Sequence, residues 1–363
     1  MAREKGIWYH NMDRAKWVKT YPRCSMFEQL RVTAQAYPDL PAIEFQGNHY
    51  TYKQVMSQID ELAESLQSIG IHSGDIVSIV SPNVPQAVIM VYALNKLGAV
   101  ANMIHPLLST KEIQHFIEST ESKAVLVLDV IYERIAPINW TAPYSPKVIV
   151  ARLADVLPLH LSLLYQIKTG GKLSLNPNHE ILIWKDLLHG KNKRPVSQAF
   201  RADPDAVAVI LYSGGTTGVQ KGVMLTNYNL TCYAIQAFEA SGMDTVGKKC
   251  LCVLPLFHGF GLALCVHTML CAGTCIYLVP TYNFQKCNTL IFRKKLNFLC
   301  GVPAFFEALS RYPDMDTKDL SFIDCLISGG DVLPAKLQHR INKQLAIGGS
   351  KAKIREAYGQ TES

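Results

Sequence analysis

One short segment of the sequence combines the residue types that bind phosphate groups. LYSGGTTGVQKGVMLT, from Leu211 to Thr226, contains four glycines, four Ser or Thr hydroxyls and one lysine, and it follows the apolar run AVAVI. Glycines after a strand let backbone N–H groups approach an anion closely, while hydroxyls and a lysine add donors and charge. The order Gln220-Lys221-Gly222 differs from the Walker A loop, in which Ser or Thr follows Gly-Lys. The segment predicts an anion-binding loop, and a glycine-rich turn without a ligand is the alternative.

The elements around this loop alternate between strand and helix patterns. Short apolar runs such as DIVSIV, AVLVLD, VIVA, AVAVIL, FLCGV and FIDCLIS are separated by amphipathic segments, and AIEFQGNHYTY predicts a hairpin turning at Gly47-Asn48. Thr51 with Gln54 predicts a capping box, Ser109 with Glu112 opens another helix, and Thr226 is a third cap. This alternation indicates an α/β fold with mostly parallel sheets, whose ligands bind at the carboxyl ends of the strands.

The longest uncharged segment runs from Cys250 to Gln285 and contains no Asp, Glu, Lys or Arg. Its length alone would suit a membrane-spanning helix. Prolines and glycines interrupt it, however, so we predict a buried strand (LCVLPLF), a buried helix over about 262–272 and a second strand (CIYLV). A membrane-embedded protein built around 250–285 is the alternative.

The region from Thr169 to Pro204 is rich in Gly, Pro, Asn and charge, and predicts the boundary between two units. We therefore divide the chain into a first αβ subdomain at 1–196, with an N-terminal helical segment, and a second at 197–363. LADVLPLHLSLLYQIK, just before the boundary, predicts a leucine-rich helix packed on its own domain. A helix that docks peripherally on a membrane is the alternative.

Composition excludes several classes of protein. The 363 residues are 48% hydrophobic and 18% charged, with a net charge of +7, which is typical of a folded soluble chain and not of a disordered one. No basic block or nucleic-acid signature is present, so a nucleic-acid partner is not expected. The N-terminus lacks the apolar core of a signal peptide, and we expect a cytoplasmic, reducing location for the ten cysteines. Nine lie between Cys232 and Cys325 in apolar surroundings, which favours buried core thiols over a metal site.

Four motifs in a fixed order carry a resemblance to a known family. SGGTTGVQKG resembles the phosphate-binding signature of the adenylate-forming superfamily, which includes acyl-CoA synthetases, luciferase and peptide-synthetase adenylation domains. PLFHGFGL at 255–262, ISGGDVLP at 327–334 and AYGQTES at 357–363 resemble its gate, its adenine-pocket loop and its Tyr-Gly-x-Thr-Glu segment. The stretch TYKQVMSQIDELAESLQSIGIHSGDIVSIVSPNVPQAVIMVYALNKLGAV extends the resemblance through the amino-terminal half.

The resemblance implies the fold and the roles of single residues. The fold would be the family's large N-terminal domain, with two stacked αβ subdomains. Lys221, Thr217, His258 and Glu362 would be catalytic, with His258 orienting the incoming carboxylate and Glu362 and Thr217 holding Mg²⁺. Tyr358 would stack on adenine and Thr361 would donate to the α-phosphate. Nucleotide contacts would come from Ser213, Gly214, Gly215, Thr216, Thr217, Gly218, Lys221, Gly329, Gly330, Asp331, Tyr358, Gly359 and Thr361.

The implied activity is ATP-dependent conversion of a carboxylic acid to an acyl-adenylate, followed by thioester formation with CoA. PLFHGFGL contains no aspartate to meet a substrate ammonium, so an acid without an α-amino group is favoured. We favour a medium- or long-chain fatty acid over an aryl acid. Two features depart from the family: Gln220 replaces the usual proline or aliphatic residue, and the family's mobile C-terminal lysine domain is not present. We therefore expect weak nucleotide binding and poor turnover, and a non-catalytic nucleotide-binding module is a further alternative.

Overall fold

The computed structural model describes residues 21–140, 143–169, 174–190, 203–214, 220–242 and 244–362. Within these ranges the chain forms two seven-stranded sheets. The strands of the first sheet are β3 Ile76–Val80, β4 Val100–Ile104, β5 Ala124–Leu128, β6 Lys147–Ala151, β7 Ile181–Ile183, β8 Val207–Ser213 and β9 Lys221–Thr226. They lie in the order β7-β6-β5-β3-β4-β8-β9, in which only the terminal pair β8 and β9 is antiparallel.

The strands of the second sheet are β1 Pro41–Phe45, β2 Asn48–Thr51, β10 Lys249–Cys252, β11 Cys275–Leu278, β12 Phe298–Gly301, β13 Cys325–Ser328 and β14 Ile354–Glu356. They lie in the order β14-β13-β12-β10-β11-β1-β2, and among them only β1 and β2 pair antiparallel. The predicted mostly parallel α/β class is confirmed.

Helices cover the sheets and begin where the sequence provides caps. The side chains of Thr51, Ser109 and Thr226 each accept from a backbone N–H of the helix that follows, as predicted. The helices are α1 Met26–Ala36, α2 Tyr52–Ser68, α3 Pro85–Leu97, α4 Thr110–Ser119, α5 Leu159–Thr169, α6 Trp184–His189, α7 Asn227–Ser241, α8 Met269–Cys271, α9 Phe284–Lys294, α10 Pro303–Ser310 and α11 Ala335–Ile347, with a π-helix at Phe260–Thr268 and 3₁₀ turns at Asp129–Arg134, Leu153–Val156 and Met315–Thr317.

The hairpin of β1 and β2 turns one residue earlier than the predicted Gly47-Asn48. Phe45 pairs with Asn48, so the two turn residues are Gln46 and Gly47, and both have positive φ angles (53° and 99°). These angles match the type I′ turn, whose twist suits a two-residue hairpin. The prediction placed the turn at the sequence pair that most resembles a turn signal, whereas strand register determined its position.

Each sheet contains strands from both sides of the predicted boundary at residue 196. The first sheet includes β8 and β9, and the second includes β1 and β2. Part of the predicted boundary, including 191–202, lies outside the described residues, so the division into 1–196 and 197–363 stays a prediction. Helix α3 joins the two halves, because the Tyr92 hydroxyl and Nδ1 of His267 in the π-helix lie 2.9 Å apart in the core.

The uncharged segment forms a strand, a helical stretch and another strand, as predicted. Strands β10 and β11 lie side by side in the second sheet, and the helical stretch runs from Phe260 to Cys271. Its first nine residues form a π-helix, a rare form often found at functional sites. Within the described residues, no helix is long and apolar enough to cross a membrane.

Candidate active site

A cavity of about 680 Å³ lies between α7, the start of the π-helix and the segment that follows β14. This volume falls within the usual range for small-molecule sites. Tyr21 and four segments far apart in the sequence line it, the segments at 223–236, 258–263, 329–330 and 357–362. Seven of the predicted site residues are among them: His258, Gly329, Gly330, Tyr358, Gly359, Thr361 and Glu362.

The ends of the predicted phosphate loop meet at the edge of the first sheet. Ser213 ends β8 and pairs with Lys221, which begins β9 and is exposed. The Ser213 hydroxyl donates a 3.1 Å hydrogen bond to Oε1 of Glu362. The loop therefore starts beside the Tyr-Gly-x-Thr-Glu segment. Gly214 is described, whereas Gly215, Thr216, Thr217 and Gly218 lie outside the described residues.

His258 lies at the rim of the cavity, on the turn that leads into the π-helix. Its Nδ1 accepts a hydrogen bond from the Phe260 backbone N–H at 3.2 Å, which leaves Nε2 to carry the proton of a neutral ring. Partial burial lowers the pKa of His258, which favours this neutral form. A neutral ring with Nε2–H available can donate to a carboxylate oxygen.

Asn83 positions the segment that carries His258, and the sequence did not indicate this role. Its side-chain amide donates to the carbonyls of Cys252 (3.2 Å) and Leu254 (2.9 Å), and its Oδ1 accepts from the Leu256 N–H at 3.0 Å. The Asn83 side chain is buried, so these bonds replace water for all three backbone groups. The chain between β10 and His258 is thus fixed by a residue about 170 positions earlier.

Two glycines, Gly261 and Gly329, allow the π-helix to pack closely against neighbouring segments. A Cβ on Gly261 would lie 2.0 Å from the Pro255 carbonyl oxygen, so only glycine fits there. A Cβ on Gly329 would lie 2.9 Å from Cε1 of Phe260 and 3.1 Å from the Ala357 carbonyl oxygen. The Gly329-Gly330 turn therefore touches both the Phe260 ring and the segment after β14.

The loop after Gly330 is attached to β14. The Glu356 carboxylate accepts from the Leu333 N–H at 2.8 Å, and Asp331 Oδ1 accepts from the Val332 N–H at 2.7 Å. Asp331 is exposed and is not part of the cavity lining, unlike the two preceding glycines. The structure thus brings the glycines to the cavity and leaves the Asp331 carboxylate outside it.

Tyr358 presents its ring to solvent at the cavity rim, with 88% of its surface exposed. A large aromatic side chain left this open provides a face on which a flat ligand can stack. The Gln360 side-chain amide donates to the Tyr358 hydroxyl at 3.0 Å, which holds the two side chains together. Tyr358, Thr361 and Glu362 thus lie on one short segment beside the cavity.

The oxygen ligands present beside the phosphate loop fit Mg²⁺. Glu362 offers a carboxylate and Ser213 a hydroxyl, and Mg²⁺ binds through one or two carboxylates while keeping several waters. The other predicted ligand, Thr217, lies outside the described residues. No group of three or more His, Cys, Asp or Glu residues in the described part of the chain could hold a metal ion. The cysteines Cys250, Cys252 and Cys275 are buried.

Helix α7 contributes cavity residues that sequence reasoning missed. Tyr228, Tyr233 and Gln236 line the cavity from the helix that follows the phosphate loop. Their spacing resembles that of any amphipathic helix, so the sequence contains no signal that separates them from core residues. The rings of His105 and Phe257 lie 4.3 Å apart between centroids, a contact next to His258 that sequence reasoning also missed.

Curated proteins are similar in sequence to most of this chain. The chain is 27% identical over 347 residues to a long-chain-fatty-acid–CoA ligase of Bacillus subtilis, covering 94% of this chain and 60% of the relative. It is 26% identical over 321 residues to a probable 4-coumarate–CoA ligase 2 of Dictyostelium discoideum, covering 86% of this chain and 55% of the relative. The chain thus spans less than two thirds of the length of these curated relatives.

The fold also matches a solved structure. A long-chain-fatty-acid-CoA ligase from Archaeoglobus fulgidus superposes with a TM-score of 0.77 at 21% identity, covering 95% of this chain and 65% of that one. The predicted fold, that of the large N-terminal domain of adenylate-forming enzymes, is confirmed. The family model for AMP-binding enzymes matches residues 30–363. This chain therefore belongs to the AMP-binding enzyme family.

Proposed function

We propose that this chain provides the large domain of an AMP-forming acid–thiol ligase. The protein would convert a carboxylic acid and ATP to an acyl-adenylate and pyrophosphate, then pass the acyl group to the CoA thiol and release AMP. The observation that carries this proposal is the single cavity shared by His258, the Gly329-Gly330 turn, Tyr358 and Glu362. Two anions must meet in such a reaction, so alignment and neutralisation of charge supply most of the catalysis.

We assign each residue the role that the family resemblance implies, and the positions of His258, Tyr358 and Glu362 around one cavity support these roles. Nε2–H of His258 would donate to the substrate carboxylate at the cavity rim. Tyr358 would stack on adenine beside Gly330, and Thr361 would donate to the α-phosphate. Lys221 and the loop from Ser213 to Gly218 would bind the departing β- and γ-phosphates. Mg²⁺, held through Glu362, would offset phosphate charge when bound.

The cavity lining supports an acid without an α-amino group. Glu362 is the only carboxylate among the described residues that line the cavity, and it lies at the phosphate-loop end. A buried substrate ammonium would need a carboxylate partner elsewhere in the cavity. Apolar and aromatic side chains from α7 and the π-helix form much of the wall, which suits an apolar tail, and of such acids we propose a medium- or long-chain fatty acid over an aryl acid.

Calorimetric titration with non-hydrolysable acyl sulfamoyl adenosines tests the substrate class. We expect the dodecanoyl compound to bind at least about tenfold more tightly than the cinnamoyl and alanyl compounds. Tighter binding of the cinnamoyl compound would identify an aryl acid instead. If all three compounds bound with equal affinity, the chain would recognise only their nucleotide part, as expected of a non-catalytic nucleotide-binding module.

Contact with a membrane surface stays a prediction. The alternative noted for helix α5 is consistent with the exposure of its Leu159, Leu163, Leu164 and Ile167 side chains, which are 52–78% exposed. Vesicle flotation tests it. Recovery of the chain with vesicles, and loss of that recovery after Leu163→Asp, would support peripheral contact; no recovery would exclude it.

A further inference from the structure

Two cavities share the groove between α7 and the helical stretch Phe260–Cys271. The larger one, about 680 Å³, is lined there by Tyr233 and Gln236 of α7 and by Ala263. A smaller one, of about 30 Å³, is lined by Ala237 of α7 and by Leu264. Ala237 lies one helical turn beyond Tyr233, and Leu264 follows Ala263, so the cavities lie end to end along the groove.

Tyr233 lies on α7 one helical turn before Ala237, where the lining of the smaller cavity begins. It lines the larger cavity and remains 38% exposed. Burial, with a further contribution from the nearby thiols of Cys265 and Cys300, raises the pKa of Tyr233 to about 12. Cys300 in turn lines the smaller cavity. Tyr233 thus lines the larger cavity one helical turn before Ala237 and lies near Cys300 of the smaller cavity's wall.

The smaller cavity suits hydrocarbon and no polar group. Nine of its eleven lining residues are apolar or cysteine, among them Leu264, Met269, Phe298 and Ile327. Its two threonine hydroxyls already have acceptors: Thr245 donates to the Ala272 carbonyl at 2.7 Å and Thr268 to the Ala263 carbonyl at 2.8 Å. The space is about the volume that one water molecule occupies in the liquid, and a dry apolar space of this size fits an alkyl carbon.

We propose that the ring of Tyr233 closes the inner end of the acyl cavity and sets the longest alkyl chain that this protein binds. This inference rests on the proposed function, because it takes the occupant of the larger cavity to be the alkyl tail of an acyl-adenylate. Removing the ring would join the two cavities and let the tail extend towards Ala237 and Leu264.

The test is a chain-length series of acyl sulfamoyl adenosines, titrated by calorimetry into the wild-type chain and Tyr233→Ala. In the wild type, affinity should rise roughly fourfold for each added methylene and then stop rising at one length. In Tyr233→Ala the affinity should continue to rise for analogues with longer alkyl tails, by a similar factor for each methylene. Tyr233→Leu is the second variant, with a smaller shift in the same direction, in case the alanine variant does not fold.

Two controls separate ring volume from other effects. Tyr233→Phe keeps the ring, so its affinity should stop rising at the same alkyl chain length as that of the wild type. Adding Ala237→Leu to Tyr233→Ala fills the smaller cavity, and should return the limit towards that of the wild type.

Folded Tyr233→Ala and Tyr233→Leu could still bind the analogues more tightly than AMP and yet show the wild-type limit of alkyl chain length. That result would overturn this inference alone. Failure of every analogue to bind the folded wild-type chain more tightly than AMP would overturn the proposed function, and this inference with it.

Discussion

The Ser213 hydroxyl donates a hydrogen bond to Oε1 of Glu362 across 149 residues of sequence, at an O–O distance of 3.1 Å. This contact joins the start of the phosphate loop to the end of the Tyr-Gly-x-Thr-Glu segment. The proposed Mg²⁺ ligand therefore lies where the β- and γ-phosphates of ATP would bind.

Glu362→Gln should weaken the Mg²⁺-dependent part of ATP binding. Glutamine retains an acceptor for Ser213 but removes the charge that Mg²⁺ requires, so we expect ATP affinity with Mg²⁺ to fall by about tenfold. AMP affinity without Mg²⁺ should stay within about twofold. Calorimetry with both nucleotides measures the difference, and exposed Asp39→Asn is the matched control for loss of a carboxylate. Equal losses for ATP and AMP would contradict the assignment of Glu362 to the metal.

Asn83→Ala should reduce both stability and ligand affinity. The change leaves the Leu256 N–H and the carbonyls of Cys252 and Leu254 without the side chain that pairs with them. We expect the free energy of unfolding to fall by about 2–4 kcal/mol in urea titrations. Acyl-adenylate analogues should bind more weakly, because the segment carrying His258 loses its support.

Two further variants test this role for Asn83. Asn83→Asp should not restore stability, because a carboxylate cannot donate to the two carbonyls. Exposed Asn178→Ala should change stability by less than about 0.5 kcal/mol. Stability of Asn83→Ala equal to that of Asn178→Ala would show that the three bonds do not position the segment.

Gly329→Ala should weaken binding of the acyl-adenylate analogue by displacing the Phe260 ring. The added methyl group would lie 2.9 Å from Cε1 of that ring, which must shift within the cavity wall. We expect a loss of about tenfold in affinity by calorimetry. The double variant with Phe260→Leu relieves the contact and should recover part of the loss. A loss that persists unchanged in the double variant would point to the Ala357 carbonyl instead.

The buried His267 should make stability depend on acid pH. Burial lowers its pKa from 6.5 to about 3, so between these values the unfolded chain binds a proton that the folded chain does not. Its contribution to stability is complete above about pH 6.5 and decreases as the pH falls towards 3. The free energy of unfolding should drop by up to about 1.4 kcal/mol per pH unit in this window.

His267→Gln removes this titration and should flatten that part of the pH profile, measured by urea unfolding at successive pH values. His339→Gln changes an exposed histidine on α11 and is the control, expected to leave the profile unchanged. An identical pH profile for wild type and His267→Gln would show that His267 is accessible to protons in the folded chain.

Local sequence signals predicted much of this fold but not the contacts that assemble the site. The capping boxes at Thr51 and Ser109 depend on residues three positions apart, and the apolar runs of the parallel strands depend on burial on both faces, so both are visible in the sequence. The pairing of β1 with β11 and the bonds of Asn83 join segments about 170 or more residues apart. Nothing in local spacing encodes such partners.

Residues of the cavity lining that lie in short motifs could be singled out from the sequence. His258, the Gly329-Gly330 turn and Tyr358 line the cavity, and each belongs to a motif of eight or fewer residues. Tyr233 was not found, because its position on a regular helix gives no local sign of a cavity beside it.

Recognition of an acyl-adenylate as one ligand by this chain can be measured in a single experiment. AMP and dodecanoyl sulfamoyl adenosine are titrated separately into the folded chain by calorimetry. We expect the acyl compound to bind at least about tenfold more tightly, a gain above about 1.4 kcal/mol from the acyl cavity. Equal affinity for the two compounds, or no binding of either to the folded chain, would contradict it.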